Sequence, residues 1–345
     1  MKYLIMSIFS FLGLLGCKGY SDLKVAEFES MLSDDQSVQL VDVRTPEEYA
    51  EGHLRGAINI DWYADDFLSM ADALLLKDRP VLVYCRSGRR SAEASAKLGK
   101  AGFKVHNLLG GYLGWTEAGM PVSAYEVERF ITPQGEPVDI SLIKHGSLEI
   151  RYKGLSLQVD PVGGYGKPTD YAVEFPKADF ILVTHEHGDH FDKDAIAALK
   201  KDGTKLVTNA RCLEMLGWGM SMSNGEKADL QEDILLETVP AYNYTEGHLQ
   251  FHPKGRDNGF VLTLGGLRIY IAGDNEDIPE MAEIKDIDVA FLPVNQPYTM
   301  TVEQCVNAAK IIAPKVLIPY HFGKTDISSL PEQLPGIDVR LRQMQ

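Results

Sequence analysis

The chain has 345 residues, with 34 Lys+Arg against 49 Asp+Glu, a formal net charge of −15 and 45% hydrophobic residues. That size and apolar content describe a globular chain with room for two cores and exclude a disordered one, and no run approaches the roughly 20 apolar residues of a membrane-spanning helix. The acidic balance excludes nucleic acid as a default partner, because a polyanion needs a basic face.

The first residues read as a targeting segment. Lys2 precedes the apolar run Leu4–Gly16, which ends in Leu14-Leu15-Gly16-Cys17. This pattern of residues 1–17 is that of a bacterial signal peptide with a lipobox, in which the small residue suits cleavage and the thiol receives lipid. The expectation is an exported protein held on the membrane of the cell envelope through lipidated Cys17. The alternative is an ordinary secretory signal with an incidental cysteine. Besides Cys17 there are only Cys85, Cys212 and Cys305, too few and too scattered for a disulfide framework. Cys212 and Cys305 read as small packing residues.

Along residues 22–124, strand-like Val38–Val43 and Pro80–Tyr84 alternate with helix-like Pro46–Glu51 and Ser91–Ala101, the pattern of a small α/β unit with a parallel sheet. Tyr125–Pro137 is polar, with two prolines and a glycine, and reads as a linker. From 138 to 345 short strand candidates crowd together, among them Val138–Ile143, Leu148–Tyr152, Leu155–Asp160, Phe180–Val183, Ile234–Pro240, Leu267–Ala272 and Val316–Pro319. Many short strands with few helices imply stacked sheets covered by helices. The expected fold class is α/β in two domains.

The first chemical site is Cys85-Arg86-Ser87-Gly88-Arg89-Arg90-Ser91, between the apolar strand Val81–Tyr84 and a helix beginning near Ser91. Such a loop can turn its backbone N–H groups toward the sulfur, with the positive helix end and three guanidinium groups behind it. These favour thiolate and make Cys85 a candidate nucleophile, with Arg86, Ser87, Gly88, Arg89 and Arg90 as candidate substrate-binding residues. Here the chain resembles the rhodanese-like family. The matched pieces are Val41-Asp42-Val43-Arg44, Pro46-Glu47-Glu48-Tyr49, Gly52-His53-Leu54, Gly56-Ala57-Ile58-Asn59, the cysteine loop, and Gly110-Gly111-Tyr112-Leu113-Gly114-Trp115. The resemblance implies sulfur transfer: Cys85 takes sulfur from a sulfane sulfur donor and passes it to a thiol or cyanide-like acceptor. Some members of that fold act only as binding modules, so a non-catalytic sulfur-sensing role is the alternative. Asp42, Arg44 and His53 read as structural, and His106 as packing.

The second site follows the strand Phe180–Val183: Thr184-His185-Glu186-His187-Gly188-Asp189-His190. Three histidines and an aspartate within six residues at a strand end are metal-type ligands that no core could hide unpaired. The spacing His-x-His-x-Asp-His resembles the metallo-β-lactamase superfamily. Further matches are Val159-Asp160-Pro161, Ala272-Gly273-Asp274 and Pro319-Tyr320-His321-Phe322-Gly323. The resemblance implies an αββα sandwich with metals at the edge of its two sheets. It assigns His185 and His187 to one metal, Asp189 and His190 to a second, Asp274 to a bridge, and His321 to the second site.

The superfamily usually supplies one more histidine at a strand end before the bridging aspartate. After Ile234–Pro240 this chain has Ala241-Tyr242-Asn243, then Gly247-His248 and Phe251-His252-Pro253-Lys254-Gly255. Asn243 holds the expected place by spacing but is a poorer ligand; His252 is the preferred substitute and His248 the second. These segments, with Asn295-Gln296-Pro297-Tyr298-Thr299-Met300, are most similar to the ascorbate-lactonase-like branch of metal-dependent hydrolases. His145, in Lys144-His145-Gly146-Ser147, is expected to be structural rather than a ligand.

Zinc, as one or two ions, is the default for such ligands, and manganese or iron fits the same set. The reaction class is then cleavage of an ester, lactone or phosphodiester in a small-molecule substrate by a metal-activated water, with Asp189 orienting the nucleophile and Tyr298 or Lys254 within reach of substrate. The alternative is an oxidoreductase of the persulfide dioxygenase type with a mononuclear iron, which the fused rhodanese-like domain favours.

Overall fold

The computed structural model describes residues 19–35 and 37–344. Cys17 and the expected signal segment lie outside the described residues. The chain divides into two compact units, one formed by the residues up to Pro46 with Asn59–Met120, the other by Glu47–Ile58 with Pro121–Gln345. Among the described residues no helix is long and apolar enough to cross a membrane.

In the first unit the strands Tyr20–Leu23, Lys104–Leu108, Pro80–Tyr84 and Gln39–Asp42 lie side by side and parallel, with the short strand Ile58–Asn59 at the edge. Val81, Leu82, Val83 and Tyr84 are all fully buried, as expected of a central parallel strand covered on both faces. The helix Arg89–Lys100 follows this strand and buries Ser91, Ala94, Ser95 and Leu98, a stripe at helical spacing. The cysteine loop is the turn between strand and helix.

The second unit has two seven-stranded sheets. The first runs Met220–Ser221, Lys205–Thr208, Phe180–Leu182, Leu155–Val159, Ser147–Tyr152, Pro137–Lys144 and Val127–Ile131; the second runs from Lys227–Gln231 through Ile234–Ala241, Asp257–Leu264, Leu267–Ile271, Val289–Pro293 and Val316–Tyr320 to Asp338–Val339. Phe180 and Leu182 join the core shared by both sheets, while Ile181 and Val183 join a second cluster with Ile196, Leu199 and Cys212 of the helices Lys193–Leu199 and Ala210–Leu216. The two-residue period of a strand therefore builds two layers at once. On the other sheet the helix Val302–Ile312 contributes Cys305, Ala308, Ala309 and Ile312 to the shared core. The result is the expected αββα order of layers.

The expectation of a linker over residues 125–137 needs correction. Val127–Ile131 is a strand paired antiparallel with Pro137–Lys144. Pro133 and Gly135 lie in the turn between these strands, and Pro137 pairs at the start of the next, so the breaker residues mark a hairpin.

Candidate metal centre

Within each sheet, parallel pairing brings strand ends to a common edge. Leu155–Val159 and Phe180–Leu182 are parallel in the first sheet; Leu267–Ile271, Val289–Pro293 and Val316–Tyr320 are parallel in the second. The residues just past these ends are Asp160, the stretch Thr184–His190, Asp274 and His321, so segments far apart in the chain converge.

Three overlapping groups of donor atoms form there, the members of each within 4.8 Å of one another: His185, His187 and His252; Asp189, His190, His321 and His145; and His185, His190 and Asp274, which links the first two. Asp274 lies between the first two groups. Its Oδ2 is 3.4 Å from His252 Nε2 and 3.2 Å from His321 Nε2, while its Oδ1 is 3.2 Å from His190 Nε2. His185, His190, His252, Asp274 and His321 are all buried.

These residues fit divalent cations. His190 Nε2, His321 Nε2 and Asp274 Oδ1 are buried with no hydrogen-bond partner among the described residues, although charged neighbours stand close by. Buried polar atoms left in this state are costly, and a cation among them satisfies imidazole and carboxylate together. The electrostatics point the same way. Burial would raise the Asp274 pKa, yet His190 and His321 outweigh it and hold it well below the usual carboxylate range. Burial also holds His185 far below an ordinary imidazole, with His190 adding to the effect. His145 is pushed down to about 4, chiefly by burial, against the opposing pull of Asp189.

A supporting layer orients the rings. His190 Nδ1 lies 2.8 Å from Asp160 Oδ2, and Asp160 also accepts from the backbone N–H and the hydroxyl of Thr184, both at 2.7 Å. His252 Nδ1 lies 3.0 Å from Asp257 Oδ2, and Asp257 is gripped by Arg256 through Nε at 2.7 Å and Nη2 at 2.8 Å. Carboxylates in such positions select the tautomer whose Nε2 faces the cation. Sequence reading missed Asp257, since a lone Asp at the start of a strand carries no local ligand signal.

Of the three candidates for the remaining position of the first group, the fold brings His252 to His185 and His187. His248 turns to Glu276 at 3.3 Å, and the Asn243 amide donates to the Tyr298 carbonyl at 2.8 Å. Asn243 N–H also donates to the His252 carbonyl at 2.9 Å, so the asparagine holds the loop that delivers the histidine. Lys254 donates to Glu280 at 2.6 Å and to the Tyr242 hydroxyl at 3.0 Å, which ties its ammonium to a surface network. Tyr298 is exposed and packs edge-on against Phe251.

In the first unit Cys85 is buried at the end of its strand, and the Gly88 N–H and Ser91 hydroxyl reach its sulfur at 3.2 and 3.4 Å. Arg86, Ser87 and Arg89 are exposed; Arg90 is half-buried, its guanidinium 5.6 Å from the Tyr63 ring centre. Asp42 and Arg44 are buried and joined to each other by hydrogen bonds of 2.7–3.0 Å. His53 lies between the carbonyls of Tyr49 and Tyr125, and His106 meets the Ser21 hydroxyl.

Comparison with known proteins agrees with this geometry. Residues 24–118 match the model of the rhodanese-like domain, and residues 139–321 match that of the beta-lactamase superfamily domain. A UPF0173 metal-dependent hydrolase of Nanoarchaeum equitans is 31% identical over 195 residues, 53% of this chain and 83% of that protein. One from a Geobacillus species is 30% identical over 188 residues, 52% of this chain and 83% of that protein. A crystal structure of a candidate metal-dependent hydrolase from Parabacteroides distasonis is 51% identical, with a TM-score of 0.62, and covers 64% of this chain and 100% of that one. The chain therefore belongs to the beta-lactamase superfamily, as a metal-dependent hydrolase of the metallo-β-lactamase fold with a rhodanese-like domain ahead of it.

Proposed function

We propose that the second unit hydrolyses an ester, lactone or phosphodiester bond of a small molecule with two divalent cations. His185, His187 and His252 would hold one cation, Asp189, His190 and His321 the other, and Asp274 would bridge them. The observation that carries this reading is the pair of donor groups sharing one buried carboxylate. When bound, the cations supply Lewis acidity and a water whose pKa is lowered toward neutrality. Zinc is the default, with manganese and iron fitting the same ligands.

Asp189 is the member of its group that keeps partial contact with solvent. Burial would raise its pKa, but the His145 and His321 contacts outweigh it and hold the carboxylate ionised. It is thus suited to stay charged, to help hold the cation and to orient the attacking water. The chain's Ala241-Tyr242-Asn243 and His252-Pro253-Lys254-Gly255 segments support an ascorbate-lactonase-like substrate class.

The test is metal analysis of protein purified without added ions, then activity on a panel of esters, lactones and phosphodiesters with the ion found. His187→Ala is expected to lower turnover at least 100-fold; absence of a divalent ion, or unchanged turnover in the variant, overturns the reading.

For the first unit, the proposal is sulfur transfer. The Cys85 sulfur attacks the outer sulfur of a sulfane donor, the donor leaves with the electron pair of the broken S–S bond, and the enzyme persulfide is then cleaved by an acceptor nucleophile. The Gly88 N–H and Ser91 hydroxyl directed at the sulfur support this role. Cyanide-dependent transfer from thiosulfate is expected in the intact chain and absent in Cys85→Ala. Without transfer in the intact chain, the domain is a binding module. On the sequence of residues 1–17 alone, export and lipid attachment at Cys17 complete the proposal.

A further inference from the structure

We propose that His145 supplies, through Nε2, a fifth protein donor to the cation position formed by Asp189, His190, Asp274 and His321. This rests on the reading above that the position holds a cation.

The first observation is placement. His145 is buried, its donor atom belongs to the group with Asp189, His190 and His321, and Nε2 lies 3.1 Å from Asp189 Oδ2. The same oxygen is 3.5 Å from His321 Nε2, so donors from three separate segments face one point. Spacings of about 3 to 4 Å are what ligands about 2.1 Å from one ion show between themselves.

The second is the backbone. His145 sits at φ +46°, in the left-handed region that the tight turn between Pro137–Lys144 and Ser147–Tyr152 requires and that His enters more readily than most side chains. Its N–H donates to the Met344 carbonyl at 2.8 Å, and its own carbonyl accepts from His321 N–H at 3.3 Å. The turn is thus fastened on one side to the tail of the chain and on the other to a member of the donor group. Its ring lies 3.6 Å, centre to centre, from that of His321, with Tyr165 4.6 Å away.

The third is the neighbouring residue. A Cβ at position 146 would stand 2.6 Å from His190 Cε1, so Gly146 is what lets the turn approach this closely. His145 and Gly146 are the two-residue turn between Pro137–Lys144 and Ser147–Tyr152, so the hairpin itself sets the positive φ, and the two backbone hydrogen bonds with the close Gly146 contact fix that turn beside His190 and His321.

The chemical consequence concerns the preferred ion. Catalytic zinc is typically held by three protein ligands and structural zinc by four, whereas five donors plus a water make the octahedral shell that manganese or iron adopts. The two positions would therefore differ: one of three imidazoles and a shared carboxylate, the other richer and larger in coordination number.

The experiment uses the full chain with Co2+ as a spectroscopic probe. His145→Asn is the variant, because Asn tolerates the left-handed backbone and is too short to reach the cluster. The intact chain is expected to take up two Co2+. In His145→Asn the first ion binds as before, the second binds at least tenfold more weakly, and its visible absorption intensifies as the coordination number falls. Equal second-ion affinity and an unchanged spectrum overturn the proposal and reduce His145 to a hydrogen-bond partner of Asp189. An intact chain that binds no cation overturns the underlying reading instead.

A second measurement does not depend on that variant's folding. With one equivalent of Mn2+ on His187→Ala, pulsed electron paramagnetic resonance counts imidazole nitrogens around the ion. Three are expected, from His145, His190 and His321; two would overturn the proposal.

Discussion

Asp257 shows how much of the site depends on atoms that never touch a cation. It is fully buried and accepts from His252 Nδ1 while Arg256 grips it with two nitrogens. Asp257→Asn keeps the shape, but its single oxygen cannot accept from the His252 ring and from both Arg256 nitrogens at once, and Arg256 loses its counter-charge, so the hold on the His252 tautomer weakens. Replacement of such an outer carboxylate is expected to weaken cation binding about 10- to 100-fold. Competition with a chromophoric chelator measures this, and affinity equal to that of the unaltered chain would show that His252 needs no orienting partner. At this scale the sequence was legible where ligands are consecutive: Thr184–His190 announces itself by density of imidazole. His145 and Asp257 stand in stretches with no such density, and only their surroundings in space give them chemical meaning.

For elements, the sequence patterns placed strands and helices to within a few residues, as with Phe180–Leu182, Leu155–Val159 and Arg89–Lys100. Alternating or continuous apolar runs record burial directly, which is why they can be read without a structure. The hairpin around Pro133 and Gly135 was obscured because the same breaker residues mark linkers and tight turns alike. The cysteine loop makes a sharper point. Gly111 opens the helix Gly111–Glu117 at φ +57°, and a Cβ there would lie 2.3 Å from the Cys85 carbonyl oxygen. The N–H of Tyr112, next in the chain, donates to that same oxygen at 2.8 Å. Gly111→Ala must therefore either break this bond or move the loop. The expected cost is at least about 2 kcal/mol from backbone strain and overlap combined. Urea denaturation of the full chain measures it, and a loss below about 0.5 kcal/mol would show that the loop yields freely.

For the whole molecule, the metal centre draws on residues from both sheets of the second unit, and its buried carboxylates and imidazoles are held together without a full set of hydrogen-bond partners. A cation that binds only the folded arrangement stabilises it by mass action. Removal of metal with a chelator is therefore expected to lower the Tm of the second unit's transition, and restoring the ion should recover it. For saturation at 100 times Kd the stabilisation is about 2.7 kcal/mol. Thermal denaturation with and without chelator tests this, and coincident transitions would show that the site is rigid and indifferent to its ion.

The sequence by itself determined most strands and helices outside the 127–137 hairpin, the division into a small parallel α/β unit and a stacked-sheet unit, the nucleophile loop at Cys85 and the ligand-rich turn Thr184–His190, because each is written in residues that are neighbours along the chain. Tertiary structure alone decided that His252 joins His185 and His187, that Asp274 stands between two donor groups, and that His145 faces Asp189. The physical reason is that coordination depends on distances between side chains from separate strands. Those distances are set by sheet pairing and packing across the core, and no local pattern of residues encodes them.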